Sequence, residues 1–153
     1  MQSPSPLTPA DITSALAFMG WEQSPDMAAK VAVAINAAGS LQGALQMIQP
    51  FEHSDLDIAV MRYAEALRLI ADPRAAAETL AFEAGCDQTD AQKHLAEASY
   101  RQGVAAVRLG RGDVKGALED QTRATRETAL ASKRLALAAA RRERAAGLIA
   151  VAA

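Results

Sequence analysis

Alanine recurs every seven residues along two consecutive stretches of this chain. The first runs through Ala77, Ala84, Ala91, Ala98 and Ala105, and the second through Ala117, Ala124, Ala131, Ala138, Ala145 and Ala152. Seven residues are close to two helical turns, so a strict seven-residue repeat keeps one small side chain on one face and lets two helices supercoil at close range. The chain has 37 alanines among 153 residues, and it is 50% hydrophobic but only 4% aromatic. Alanine is the best helix former and a poor core filler, because a methyl group removes little apolar surface from water. Helices at short axial distances are expected, rather than a deep core of large side chains. A β-rich fold, a disulfide scaffold and a disordered chain are disfavoured by the scarcity of β-branched and aromatic residues, cysteine and excess charge.

Local signals divide the chain into helices. Thr8-Pro9-Ala10-Asp11 combines an N-cap hydroxyl, proline at the first helical position and an acid one turn in. Ser24-Pro25-Asp26, Ser54 with Asp57, and Asp72-Pro73 repeat parts of that device, and Thr89 with Gln92 has the spacing of a capping box. Gly20, Gly39, Pro50, Gly85 and Gly110-Arg111-Gly112 read as stops. Seven helices are predicted, near 9–20, 25–37, 41–49, 55–71, 73–84, 90–109 and 113–150, and no segment alternates as a strand would. The expected fold is all-α. It has a three-helix segment over 1–51, followed over 52–153 by antiparallel hairpins that end in a long helix. That last helix, at 1.5 Å per residue, would be roughly 55 Å long. A compact domain of this size cannot cover it, so part of it is expected to pack on another chain. The close-packing seam is expected along Ala98, Ala105, Ala117, Ala124, Ala131, Ala138 and Ala145. The positions four residues after the alanines of the last helix (Gln121, Thr128, Leu135, Arg142, Ile149) suit several small contacts better than a continuous dimer seam.

Two family resemblances are carried by short motifs. Ala98, Tyr100, Gly103, Ala105, Gly112, Ala117 and Ala124 fall where a tetratricopeptide repeat places small or aromatic residues. Two extra residues stand between Gly103 and Gly112, and the family's usual proline after the second helix is missing. The third hairpin therefore resembles that family, mainly over residues 96–124. The resemblance implies a concave surface for a peptide segment of a client protein, without catalysis. Ala17-Phe18-Met19-Gly20-Trp21, followed by the Gly39–Ile48 run, is similar to a ubiquitin-associated three-helix module, with about five residues too many between the motifs. The simpler reading makes Phe18, Trp21, Leu41, Leu45, Met47 and Ile48 the core of the front half.

The net charge of −2 does not mark a nucleic-acid binder. Its distribution is uneven, −5 over residues 1–73 and +3 over 74–153. Arg141, Arg142 and Arg144 form the densest basic cluster and are the residues placed to meet a partner or a phosphate. Without aromatic side chains for stacking, nucleic-acid contact there would be weak and salt-sensitive, and it is disfavoured.

Catalytic chemistry finds little to work with. His53 lies beside Ser54 and Asp57, which are better explained as a helix start, and His94 stands eight residues from the single cysteine. Cys86 reads as a small buried or half-buried residue at a helix end. No metal, cofactor or catalytic residue is expected. Met1–Pro6 has no basic and apolar leader pattern, and no apolar run approaches the ~20 residues of a membrane helix. A cytoplasmic setting, or a virion assembled there, is expected, without secretion by a signal peptide. The functional expectation is a non-catalytic helical assembly subunit working through protein–protein contacts, similar in texture to small structural proteins of tailed-phage virions. The alternative is a tetratricopeptide-like adaptor or chaperone.

Overall fold

A computed structural model describes residues 5–153; the expectation for Met1–Pro4 falls outside it. Among the described residues there are six helices and no strands: α1 Pro9–Phe18, α2 Pro25–Ala38, α3 Leu41–Gln46, α4 Asp55–Ile70, α5 Pro73–Gly110 and α6 Val114–Ala152. The chain divides into two compact units, one ending at Ala76 and the other beginning at Ala77.

In the first unit the caps lie where hydroxyl chemistry places them. Thr8 and Asp11 form a reciprocal capping box at α1, and Ser54 and Asp57 form another at α4. Ser24 and Ser40 accept from the backbone N–H groups of Met27 and Gly43 to open α2 and α3. Gly39 ends α2 at φ 77°, a left-handed conformation that glycine adopts without steric cost. α1 packs on α2 and α4, and α3 packs on the same two helices. Ile12, Leu16, Met19, Val31, Ile35, Val60, Tyr63 and Leu69 form the interior. Trp21 is buried as expected, with Arg62 over its ring at 5.4 Å. Phe18, Leu41, Leu45 and Ile48 are half-buried, whereas Met47, the C-cap residue of α3, is 76% exposed. Asn36 ties the segment before α1 to α2, accepting from Leu7 N (2.9 Å) and donating to Leu7 O (2.8 Å).

The predicted break between 84 and 90 is absent. α5 runs through Gly85 and Thr89 as one 38-residue helix, so six helices replace the expected seven. The Thr89 hydroxyl donates to the Gly85 carbonyl at 3.0 Å, one helical turn back, instead of capping a new helix. A glycine inside a helix costs about 1 kcal/mol relative to alanine. The buried alanines on either side, Ala84 and Ala91, keep the helix in phase through it. Cys86 accordingly lies within α5 and is exposed, not at a helix end.

Candidate interaction surface

In the second unit α5 from Ala77 onward and α6 form an antiparallel hairpin. Its turn is Arg111-Gly112, with Gly112 at φ 80°. Asp113 then caps α6 by accepting from Gly116 N at 2.9 Å. A Cβ on Gly116 would stand 2.6 Å from Arg108 Nη1. Glycine here leaves room for that guanidinium beside the cap.

All seven seam alanines named from the sequence are buried, together with Ala77, Ala84 and Ala91; Ala152 is exposed. Ten of the eleven heptad alanines are thus buried. Each methyl contributes at most about 0.8 kcal/mol, so the seam permits close approach without supplying a large hydrophobic core.

A second row along the seam consists of ionisable side chains, two of them buried aspartates, which the sequence reading did not identify. Three residues after successive alanines of α5 stand Asp87, His94, Arg101 and Arg108, and in α6 the same offset gives Asp120, Glu127, Arg134 and Arg141. Arg134 Nη1 donates to Asp87 Oδ1 at 3.0 Å, and Arg141 also bonds to Asp87. His94 Nδ1 lies 2.5 Å from Glu127 Oε2. Arg101 Nη1 donates to Asp120 Oδ1 at 3.3 Å, while Arg108 Nε stands 3.3 Å from the other oxygen, outside hydrogen-bond alignment. Asp87 is 3% exposed and Asp120 2%. Hydrogen bonds to Glu97 and then to Asp120 hold Arg101 above its ordinary pKa.

Each helix thus changes from acidic to basic along its own direction. Pairing head to tail sets Asp87 against Arg134, His94 against Glu127 and Arg101 against Asp120. A parallel pairing would bring Asp87 to Asp120 and Arg101 to Arg134, with like charges opposed in a partly desolvated seam. Buried ion pairs add little net stability, because desolvation offsets most of the attraction. Their effect here is on direction and register, which ten equivalent alanines leave undetermined. The sequence signal was available in the two rows of charge with the alanine period; it lay at an offset of three, one residue from the offset of four considered above.

Arg141 and Arg142, both named from the sequence, bond across the hairpin. Arg141 pairs with Glu83 and Asp87, and Arg142 bonds to Gln88 Oε1. Arg144 lies on the exposed side of α6. His53 is exposed before α4, and Asp57 serves the capping box. Among the described residues no group of three or more His, Cys, Asp or Glu could hold a metal ion, and no helix is long and apolar enough to cross a membrane.

Outside the seam and the ion row the hairpin leaves large apolar side chains uncovered. Phe82, Leu95, Leu109, Leu118, Leu135 and Ile149 are all exposed. In comparisons with protein-family models, curated proteins and solved structures, the chain matches none of them.

Proposed function

We propose that this protein is a non-catalytic assembly subunit that works through protein–protein contacts in an oligomer. The observation that carries this reading is the imbalance within the α5–α6 hairpin. Two helices of nearly forty residues bury alanines and two aspartates between them, while Phe82, Leu95, Leu109, Leu118, Leu135 and Ile149 stay exposed. Exposed apolar surface of that extent on a thin two-helix element belongs to an interface. A virion is one setting that the proposal includes, on composition alone.

The test is the native mass of the full chain by light scattering. An assembly subunit runs as a defined oligomer, and truncation at Lys133 collapses it to smaller species. A monomer indifferent to loss of residues 133–153 overturns the reading. The adaptor alternative would gain ground if that monomer acquired thermal stability only with a client peptide present.

A further inference from the structure

Each buried aspartate of the seam sits between two arginines that stand seven residues apart on the facing helix. Asp87 of α5 bonds to both Arg134 and Arg141 of α6. Asp120 of α6 meets both Arg101 and Arg108 of α5. The contacts to Arg134 and Arg101 share the register that sets His94 against Glu127. Those to Arg141 and Arg108 belong to a second register, displaced by one heptad.

The rest of the seam keeps its match in that second register. With Asp87 level with Arg134, Ala77 lies opposite Ala145 and Ala105 opposite Ala117, five alanine pairs in all. Ala152 then reaches past the start of α5, and it is exposed. Advancing α6 by seven residues sets Ala77 opposite Ala152 and Ala105 opposite Ala124, again five pairs. Leu80, level with Arg141 in the observed register, comes level with Leu148. Asp87 keeps Arg141, Asp120 keeps Arg108, and Arg101 exchanges Asp120 for Glu127. Only His94 loses, exchanging Glu127 for Arg134. A shift the other way sets Asp87 against Glu127, so charge opposes it. The favoured shift moves the turn by three to four residues, and Gly116 then stands where Gly112 now supplies φ 80°.

We infer that the α5–α6 hairpin is a two-register device, in which α6 slides along α5 by one heptad, about 10 Å. The seven-residue period makes the alanine seam indifferent to that shift. Each buried aspartate already holds the arginine of both registers, so neither carboxylate is left without a cation on the way. The observed register is the preferred one because it alone pairs His94 with Glu127 and Arg142 with Gln88. Sliding draws the apolar end of α6, with Leu148, Ile149 and Val151, back along α5. One register extends that end beyond the seam, and the other brings Leu148 against Leu80. The inference concerns the hairpin alone and holds whether or not the chain assembles.

The test traps each register by oxidation of the full chain in a Cys86→Ser background, with the intrachain disulfide measured by mass and far-ultraviolet circular dichroism as a control on folding. Ala91→Cys with Ala131→Cys closes in the observed register. Ala91→Cys with Ala138→Cys stands about 10 Å out of register there, beyond disulfide reach, and closes only after the slide. Ala91→Cys with Ala145→Cys matches neither register and reports general opening. The 91–138 pair is expected to close at least about tenfold faster than the 91–145 pair. His94→Glu sets two carboxylates together in the observed register and an ion pair with Arg134 in the displaced one. It should speed the 91–138 closure by about tenfold or more, with the 91–145 rate unchanged. Leu148→Glu, which opposes the Leu80 contact, should slow the 91–138 closure and leave the 91–131 closure unaffected. Closure of the 91–138 pair no faster than that of the 91–145 pair overturns the second register. A 91–138 rate indifferent to His94→Glu, in protein that keeps its helicity, overturns the part given to the ion row.

Discussion

Asp87 accepts a hydrogen bond from Arg134 at 3.0 Å across 47 residues of sequence, and it is 3% exposed. This carboxylate, shared with Arg141, is where the hairpin depends most on having its partner present.

Replacing Asp87 by alanine takes the anion from Arg134 and leaves Arg141 with Glu83 alone in a partly desolvated seam. The expected loss is about 1–3 kcal/mol in chemical denaturation, moderated because Arg134 is itself partly exposed. Arg134→Ala alone should cost less. The double variant should fall short of additivity by about 0.5 kcal/mol or more in a double-mutant cycle. Additivity would mean that the pair contributes nothing specific.

At the centre of the seam Ala131 is buried, while Ala136 on the same helix is exposed. Ala131→Leu forces four carbon atoms where a methyl fits, and a loss of about 1–3 kcal/mol is expected. Ala136→Leu should stay within about 0.5 kcal/mol of the wild type. Thermal melts of the two variants separate a close-packed seam from alanine present only for helix propensity.

Thr89 offers a test whose sign decides the continuity of α5. At an N-cap, Thr→Ala costs about 0.5–2 kcal/mol. In mid-helix, where Thr89 is exposed and its hydroxyl bonds back to Gly85 O, alanine is the better residue. Thr89→Ala is therefore expected to stabilise the chain by up to about 0.7 kcal/mol. A clear destabilisation in urea unfolding would restore the helix break.

Acid should weaken the first unit through its two capping boxes. Hydrogen bonds from the Thr8 side chain and backbone lower the pKa of Asp11, and those from the Ser54 backbone and side chain lower that of Asp57. A depressed folded-state pKa contributes stability that is fully present above the ordinary value of 3.8. That contribution declines as pH falls below 3.8 and is lost once pH drops beneath the depressed values. The stability difference between wild type and an Asp11→Asn, Asp57→Asn variant should be constant above about pH 5 and shrink on acidification. A difference independent of pH would contradict the charged capping boxes.

Much of the fold was legible because its signals are local. Hydroxyl N-caps at Thr8, Ser24 and Ser54 satisfy backbone donors within three residues, whatever the rest of the chain does. The alanine seam was legible for a related reason, since its period depends only on helix geometry. Gly85 and Thr89 misled for the opposite reason: their local preferences favour a break, and the packing of Ala84 and Ala91 across the hairpin overrides them. The outward position of Cys86 follows from that same continuity.

By itself, then, the sequence determined that this protein is helical, where most of its helices begin, and which small residues line its seam, because each of those follows from one residue and its near neighbours. Only the tertiary structure decided which charges meet. Asp87 is an acid like any other until the antiparallel register brings Arg134 and Arg141 to it. The large apolar residues left outside the seam are likewise defined only once both helices are in place. Pairing and exposure are properties of two segments together, and seven-residue spacing on either one leaves them open.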